Sequence, residues 1–220
     1  MESVLRHSTK SGVLLMVFAV VGTALLAATY MMTHDIIAES EKQAKLALIG
    51  QILPKTLYDN DILKEVRELP PVAELGNKDA TPLYVATLGG QPSAAVFEAV
   101  APDGYAGKIK LLVAVKADGE LSGVRVVDHH ETPGLGDYIM IAKDKWITQF
   151  DGLSLAKYTA QEWKVKKDGG KFEYRTGATV TPRAIVRAVY KSMKFVEGNR
   201  DKFFAAAGGT AQDSGKESAK

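Results

Sequence analysis

The chain has 220 residues, of which 46% are apolar and 25% charged, proportions that suit one globular domain with an appendage. A formal net charge of +2 with no basic stripe gives nucleic acid no natural surface to bind. There is no cysteine, which excludes disulfides, cysteine-ligated iron–sulfur clusters and thiol nucleophiles. Any redox chemistry here needs an organic cofactor or a metal held by other ligands.

The first element is an uncharged run over residues 13–32. Its length matches the roughly 20 residues needed to cross about 30 Å of hydrocarbon. A secretory signal has an apolar region of only about 7–15 residues and ends in a small-x-small site. No such site follows here, so the run reads as a retained anchor. Arg6 and Lys10 precede it, while Asp35, Glu39 and Glu41 follow, mixed with Lys42 and Lys45. Positive residues stay on the cytoplasmic side. This predicts a single-pass inner-membrane protein whose N-terminus is cytoplasmic and whose body is periplasmic.

A second helix is expected over 36–53, with Ile37, Ala44, Leu48, Ile49 and Ile52 roughly on one face and Pro54 ending it. Strands follow at 83–88, 94–100, 109–115 and 121–127, the last two flanking the hairpin signal Asp118-Gly119. Residues 137–150 read as a helix. A second hairpin is expected where 162–167 and 172–174 flank Asp168-Gly169-Gly170. A helix then begins near Pro182, with Thr181 as N-cap and apolar residues at Ile185, Val186, Val189, Met193 and Val196. A short helix near 200–206 precedes the polar, small-residue stretch 208–220, which reads as disordered. The fold expectation is α+β, with helices on an antiparallel sheet. The expected divisions are a cytoplasmic N-terminus 1–11, a transmembrane helix 12–33, a helical stalk 34–70, a periplasmic domain 71–207 and a tail 208–220.

Two stretches invite chemistry. In His129-His130-Glu131-Thr132-Pro133-Gly134-Leu135-Gly136, adjacent histidines on a strand point to opposite faces and no third ligand is spaced to match, so a metal is not predicted. The bland reading is a turn between strand and helix. The functional reading is that Gly134 and Gly136 let the backbone approach a flat ligand, with Leu135 against one ring face. The second stretch is Thr176-Gly177-Ala178-Thr179, an exposed turn before a helix N-terminus, where free N–H groups and the dipole favour an anion. On spacing alone it is a loop and a capped helix.

Resemblance changes that balance. The Thr176–Thr179 segment resembles the Ser/Thr-Gly-Ala-Ser/Thr acceptor motif of bacterial flavoproteins that carry FMN as a phosphoester on the last residue, which here is Thr179. Where that family usually has an aspartate three residues before the motif, this chain has Glu173. Glu131-Thr132-Pro133-Gly134-Leu135-Gly136 is similar to the family's loop that shapes the isoalloxazine pocket. Gly104-Tyr105-Ala106-Gly107 matches its Gly-Tyr-x-Gly segment more weakly. The resemblance covers the anchor and nearly all of the outer domain. The chain resembles the G subunits of the Rnf/Rsx ion-translocating electron transport complexes, and the C subunit of the sodium-pumping NADH–quinone oxidoreductase is related.

The resemblance implies a membrane-anchored flavoprotein with covalent FMN at Thr179. Thr176, Gly177 and Ala178 would shape the acceptor, and residues 131–136 the ring pocket. FMN would be installed from FAD by a flavin transferase, and the partners would be the other Rnf subunits. The complex would be an enzyme, a ferredoxin:NAD oxidoreductase coupled to ion movement. This chain would relay electrons within it and contribute no general acid, base or nucleophile of its own. Two other readings stand beside it: the sodium-pump C subunit or another periplasmic FMN protein, and a non-redox single-pass scaffold with an unmodified turn.

Overall fold

The computed structural model describes residues 2–204; the expected tail 208–220 and the end of the 200–206 helix lie outside the described residues. The chain divides into two units, one ending at Leu46 and one starting at Ala47.

The first unit belongs to helix α1 (Glu2–Ile52). The span 13–32 and the predicted helix 36–53 are one continuous element rather than two. Neither glycine nor proline occurs between residues 33 and 49, so nothing interrupts the hydrogen-bond ladder. Over Lys10–Ile52 the helix is long and apolar enough to cross a membrane. Its large apolar side chains, among them Leu14, Phe18, Leu26 and Met31, are exposed around the whole circumference, the pattern of a helix that meets lipid. The hydroxyls of Thr29 and Thr33 donate back to the carbonyls of Leu25 and Thr29, which satisfies them inside the helix.

The second unit is built on a five-stranded antiparallel meander: β1 (Val66–Leu69), β2 (Thr81–Leu88), β3 (Gln91–Ala101), β4 (Ile109–Lys116) and β5 (Leu121–Asp128), neighbours in that order. The four predicted strands are present. The edge strand β1 carries only Val-Arg-Glu-Leu and offers no alternation long enough to read. Both faces of the sheet are covered, which is why Leu111 to Val115 is apolar without a break. Leu111, Val113 and Val115 face the larger core, together with Phe97 and helices α2 (Val180–Gly198) and α3 (Arg200–Phe204). Leu112 and Ala114 face a smaller core closed by Ile49, Ile52, Leu53 and Ile62.

The end of α1 is tied to β5. Arg125, 6% exposed, donates through Nη2 to the Gln51 carbonyl and through Nε to Gln51 Oε1, each at 3.2 Å. Ser122 Oγ donates to the Ile52 carbonyl. A cation at a helix C-terminus also complements its dipole. A Cβ at Gly123 would lie 2.9 Å from Ile52 Cγ2, so glycine lets this last turn lie flat on the strand.

Two expected elements of this unit are absent. Residues 137–150 form two 3-10 turns, Asp137–Ile139 and Lys145–Phe150, instead of a helix. Met140 is extended (φ −75°, ψ 130°), and the Asp144 carboxylate accepts from Trp146 N–H and starts the second turn anew. The segment thereby buries Tyr138, Ile139, Trp146, Ile147 and Phe150 together, which outweighs helical regularity. The second hairpin is absent as well. A single parallel bridge joins Val165 to Phe172 around the 3-10 turn Lys166–Asp168, with Gly169 at φ +81°. A Cβ at Gly170 would sit 2.0 Å from the Lys164 carbonyl oxygen, so the chain crosses itself here too tightly for two strands.

Candidate functional site

The acceptor segment is a tight turn closed by Ala178 N–H donating to the Arg175 carbonyl at 3.0 Å. Gly177 sits at φ +86°, the left-handed region that glycine adopts without strain. Thr176 and Gly177 are exposed, Ala178 is buried and Thr179 is half-buried. Helix α2 then starts at Val180, two residues earlier than the sequence suggests. Thr179 is its N-cap residue, yet no side chain caps the helix. With no N–H on Pro182 and Arg183 N–H donating to the Thr179 carbonyl, the N–H groups of Val180 and Thr181 are left for another acceptor. Thr181 is not the cap, because its hydroxyl donates 2.5 Å to the buried carboxylate of Glu131. Pro182 lies within the first helical turn, where a missing N–H still breaks no ladder bond.

The turn rests on the 137–150 segment, whose two short turns replace the expected helix. Tyr138 Oη donates to the Ala178 carbonyl at 3.3 Å, and Trp146 Nε1 donates to the Glu173 carbonyl at 2.6 Å. Glu173 N–H donates to Gln149 Oε1 at 2.7 Å. Arg175 pairs with Asp144 and lies 4.7 Å over the Tyr138 ring. Tyr138 meets Trp146 edge-on, and Trp146 meets Phe150, so the anchors belong to one aromatic cluster. Sequence reasoning misses Tyr138, Trp146 and Gln149. The available signal is the three consecutive large residues Tyr138 to Met140, more apolar than one helix face needs.

Burial pushes the Tyr138 hydroxyl up to about 12 from an ordinary 10.0. Its pKa is higher folded than unfolded, so this stabilisation is complete below about pH 10 and is lost as pH rises toward 12. The full loss is about 2–3 kcal/mol. Tyr138→Phe should therefore lose less stability than wild type between those pH values, measured by urea midpoints. Parallel curves would show that the hydroxyl plays no part.

Glu131 is 4% exposed, and its backbone N–H donates to His129 Nδ1. Thr132, Pro133, Gly134 and Leu135 are exposed. The loop is closed by Leu135 and Gly136 N–H groups donating to the Thr132 carbonyl, and by Gly134 N–H donating to Asp137 Oδ1. Gly134 needs its glycine for backbone reasons, at φ +75° with open space around it. Gly136 is buried, and a Cβ there would lie 2.9 Å from Glu131 Oε2. Its missing side chain makes room for that carboxylate.

The two motifs meet. A cleft of ≈110 Å³ is lined by Glu131, Thr132, Leu135 and Gly136 on one side, by Gly177, Ala178, Thr179, Val180 and Thr181 on another, and by Tyr105. Thr176, Pro133 and Gly134 lie beside it in sequence without lining it. A Cβ at Gly177 would approach Leu135 Cδ1 to 3.8 Å and narrow the cleft. The arrangement offers a half-buried hydroxyl beside uncapped helix N–H groups and an apolar rim, which fits a phosphate joined to a flat ring.

Comparison with known proteins agrees with this chemistry. Residues 104–194, which contain every wall of the cleft, match the FMN-binding domain, and residues 1–52 match the RnfG N-terminal region. The chain is 46% identical over 202 residues to the G subunit of the ion-translocating oxidoreductase complex of Pseudomonas aeruginosa (strain UCBPP-PA14), covering 91% of this chain and 94% of that protein. It is 42% identical over 196 residues to the corresponding G subunit of Vibrio atlanticus, covering 89% and 93%. For that of Aliivibrio fischeri (strain ES114) the identity is 43% over 192 residues, covering 87% and 91%.

Proposed function

This chain belongs to the G-subunit family of ion-translocating oxidoreductase complexes, and we propose that it carries its FMN as a phosphoester on Thr179, in a domain held outside the cytoplasm. It is an FMN-containing component of such a complex, and the FMN-binding match supplies the cofactor. The observation that carries the covalent reading is the position of Thr179. Its hydroxyl caps nothing, stands beside the free N–H groups of α2 and lines the same cleft as the 131–136 loop.

When bound, FMN supplies one-electron and two-electron redox chemistry. The residues of this chain hold and orient it. Attachment by a flavin transferase would proceed on FAD: the Thr179 hydroxyl gives up its proton, its oxygen bonds to the FMN phosphorus, and AMP leaves. The first-turn N–H groups of α2 favour the resulting phosphodiester charge. Outside the cytoplasm lost flavin is not replaced, and a tether keeps its local concentration high. The exposed turn at Thr176 and Gly177 gives the transferase access. The G-subunit relatives and the match over 1–52 favour this reading over the sodium-pump C subunit, and the FMN-binding match weighs against an unmodified scaffold.

Intact mass of the purified protein should show one FMN added, and the band should fluoresce on a denaturing gel. A protein with noncovalent flavin only would fail both. For orientation, a periplasm-dependent reporter fused after Phe204 should be active and a cytoplasm-dependent one silent. The reverse would overturn the inner-membrane, N-inside topology that Arg6 and Lys10 motivate.

A further inference from the structure

Among the described residues from Ala47 onward, the exposed large apolar side chains are Val66, Leu88, Tyr105, Leu135 and Val180. Three of these five border one cleft: Tyr105 at 69% exposure, Leu135 at 45% and Val180 at 41%. They come from three segments far apart in sequence, all inside the FMN-binding match. Apolar surface gathered at one cavity marks a ligand site rather than ordinary scatter.

One buried side chain ties the three segments together. Glu131 Oε1 accepts from Ala106 N–H at 3.1 Å, next to Tyr105, and Oε2 accepts from the Thr181 hydroxyl, next to Val180. A Cβ at Gly104 would lie 2.8 Å from Oε1, and one at Gly136 would lie 2.9 Å from Oε2. Gly136 is thus explained by the carboxylate beside it, while a Cβ at Gly104 would meet the Gly107 carbonyl oxygen still more closely than the carboxylate. Asp103, at the start of the Tyr105 loop, also pairs with Arg187 on α2.

We propose that Tyr105 is an aromatic contact to the isoalloxazine, additional to Leu135, and that Glu131 is the positioning residue that fixes Tyr105 relative to Thr179. This rests on the reading that FMN is carried at Thr179. An aromatic ring on a flavin both shields it and quenches its emission.

The test compares flavin emission of folded holoprotein with that of the same sample denatured, together with quenching by iodide. Tyr105 is exposed, so Tyr105→Ala leaves the core intact. It should raise folded-state emission toward that of the denatured sample and open the flavin to iodide. Tyr105→Phe should keep the shielding. Emission and iodide access unchanged in Tyr105→Ala would overturn the assignment. Glu131→Gln should behave as wild type, since its amide oxygen accepts from Ala106 N–H and its NH₂ donates to the Thr181 hydroxyl. Glu131→Ala, or Glu131→Asp should the alanine variant not fold, should resemble Tyr105→Ala and add nothing to it in the double variant. Additive effects would sink the positioning role. A denaturing gel of the same samples reports the tether separately: a dark wild-type band defeats attachment at Thr179, while the folded-state measurements still judge Tyr105.

Discussion

Thr179→Ala should remove the covalent flavin completely: no fluorescent band on a denaturing gel, and a mass lower by one FMN in addition to the side-chain difference. The substitution deletes the only atom that could form the ester at this position. It should cost the fold little, because the Thr179 side chain makes no cap hydrogen bond and is half-buried. Alanine is a poorer N-cap than threonine by about 1 kcal/mol where the side chain caps, and here it does not. Thr179→Ser should keep the flavin, since the nucleophilic oxygen remains. Thr176→Ala should keep most of it, because Thr176 is exposed and the turn is closed by backbone bonding between Ala178 and Arg175. A fluorescent band persisting in Thr179→Ala would move the attachment elsewhere.

The second large effect is expected at Phe150, which no motif marks. It is fully buried, with ring centroids 4.8 Å from Phe172 and 5.8 Å from Trp146. Phe150→Ala should destabilise the domain by about 3–5 kcal/mol through lost burial and the cavity left behind. Denaturant midpoints at unchanged slope would measure this. The functional consequence follows from its neighbours. Trp146 holds the Glu173 carbonyl, Tyr138 holds the Ala178 carbonyl, and both stand in the same aromatic cluster. A loosened platform should lower the fraction of chains that carry flavin, read from intact mass. Full flavin occupancy in a destabilised Phe150→Ala protein would show that the acceptor turn is held by other contacts.

Much of the fold is legible locally. The span at 13–32 follows from twenty uncharged residues, and β2 to β5 follow from apolar runs bounded by turn residues. The 137–150 segment is not, because its residues are spaced well enough for a helix and only their shared burial with Trp163 and Phe172 selects two short turns. Gly169 and Gly170 resemble a hairpin turn for a similar reason. Local sequence marks the turn, but the contact of Gly170 with Lys164 that forbids flanking strands is tertiary.

The site divides in the same way. By itself the sequence determined which hydroxyl sits on an exposed turn before a helix, which loop carries the glycines, and that the chain has an apolar helix long enough to cross a membrane. Those are properties of neighbours along the chain, and residue type and spacing encode them directly. Only the tertiary structure decided that the 131–136 loop and the Thr179 turn share a cleft, and that Tyr105 stands at its edge. It also decided that Thr181 serves Glu131 instead of capping its own helix. The reason is the buried carboxylate. A charge withdrawn from water must find donors, and Glu131 finds them 25 residues before it at Ala106 and 50 residues after it at Thr181, at a distance no local pattern can reach.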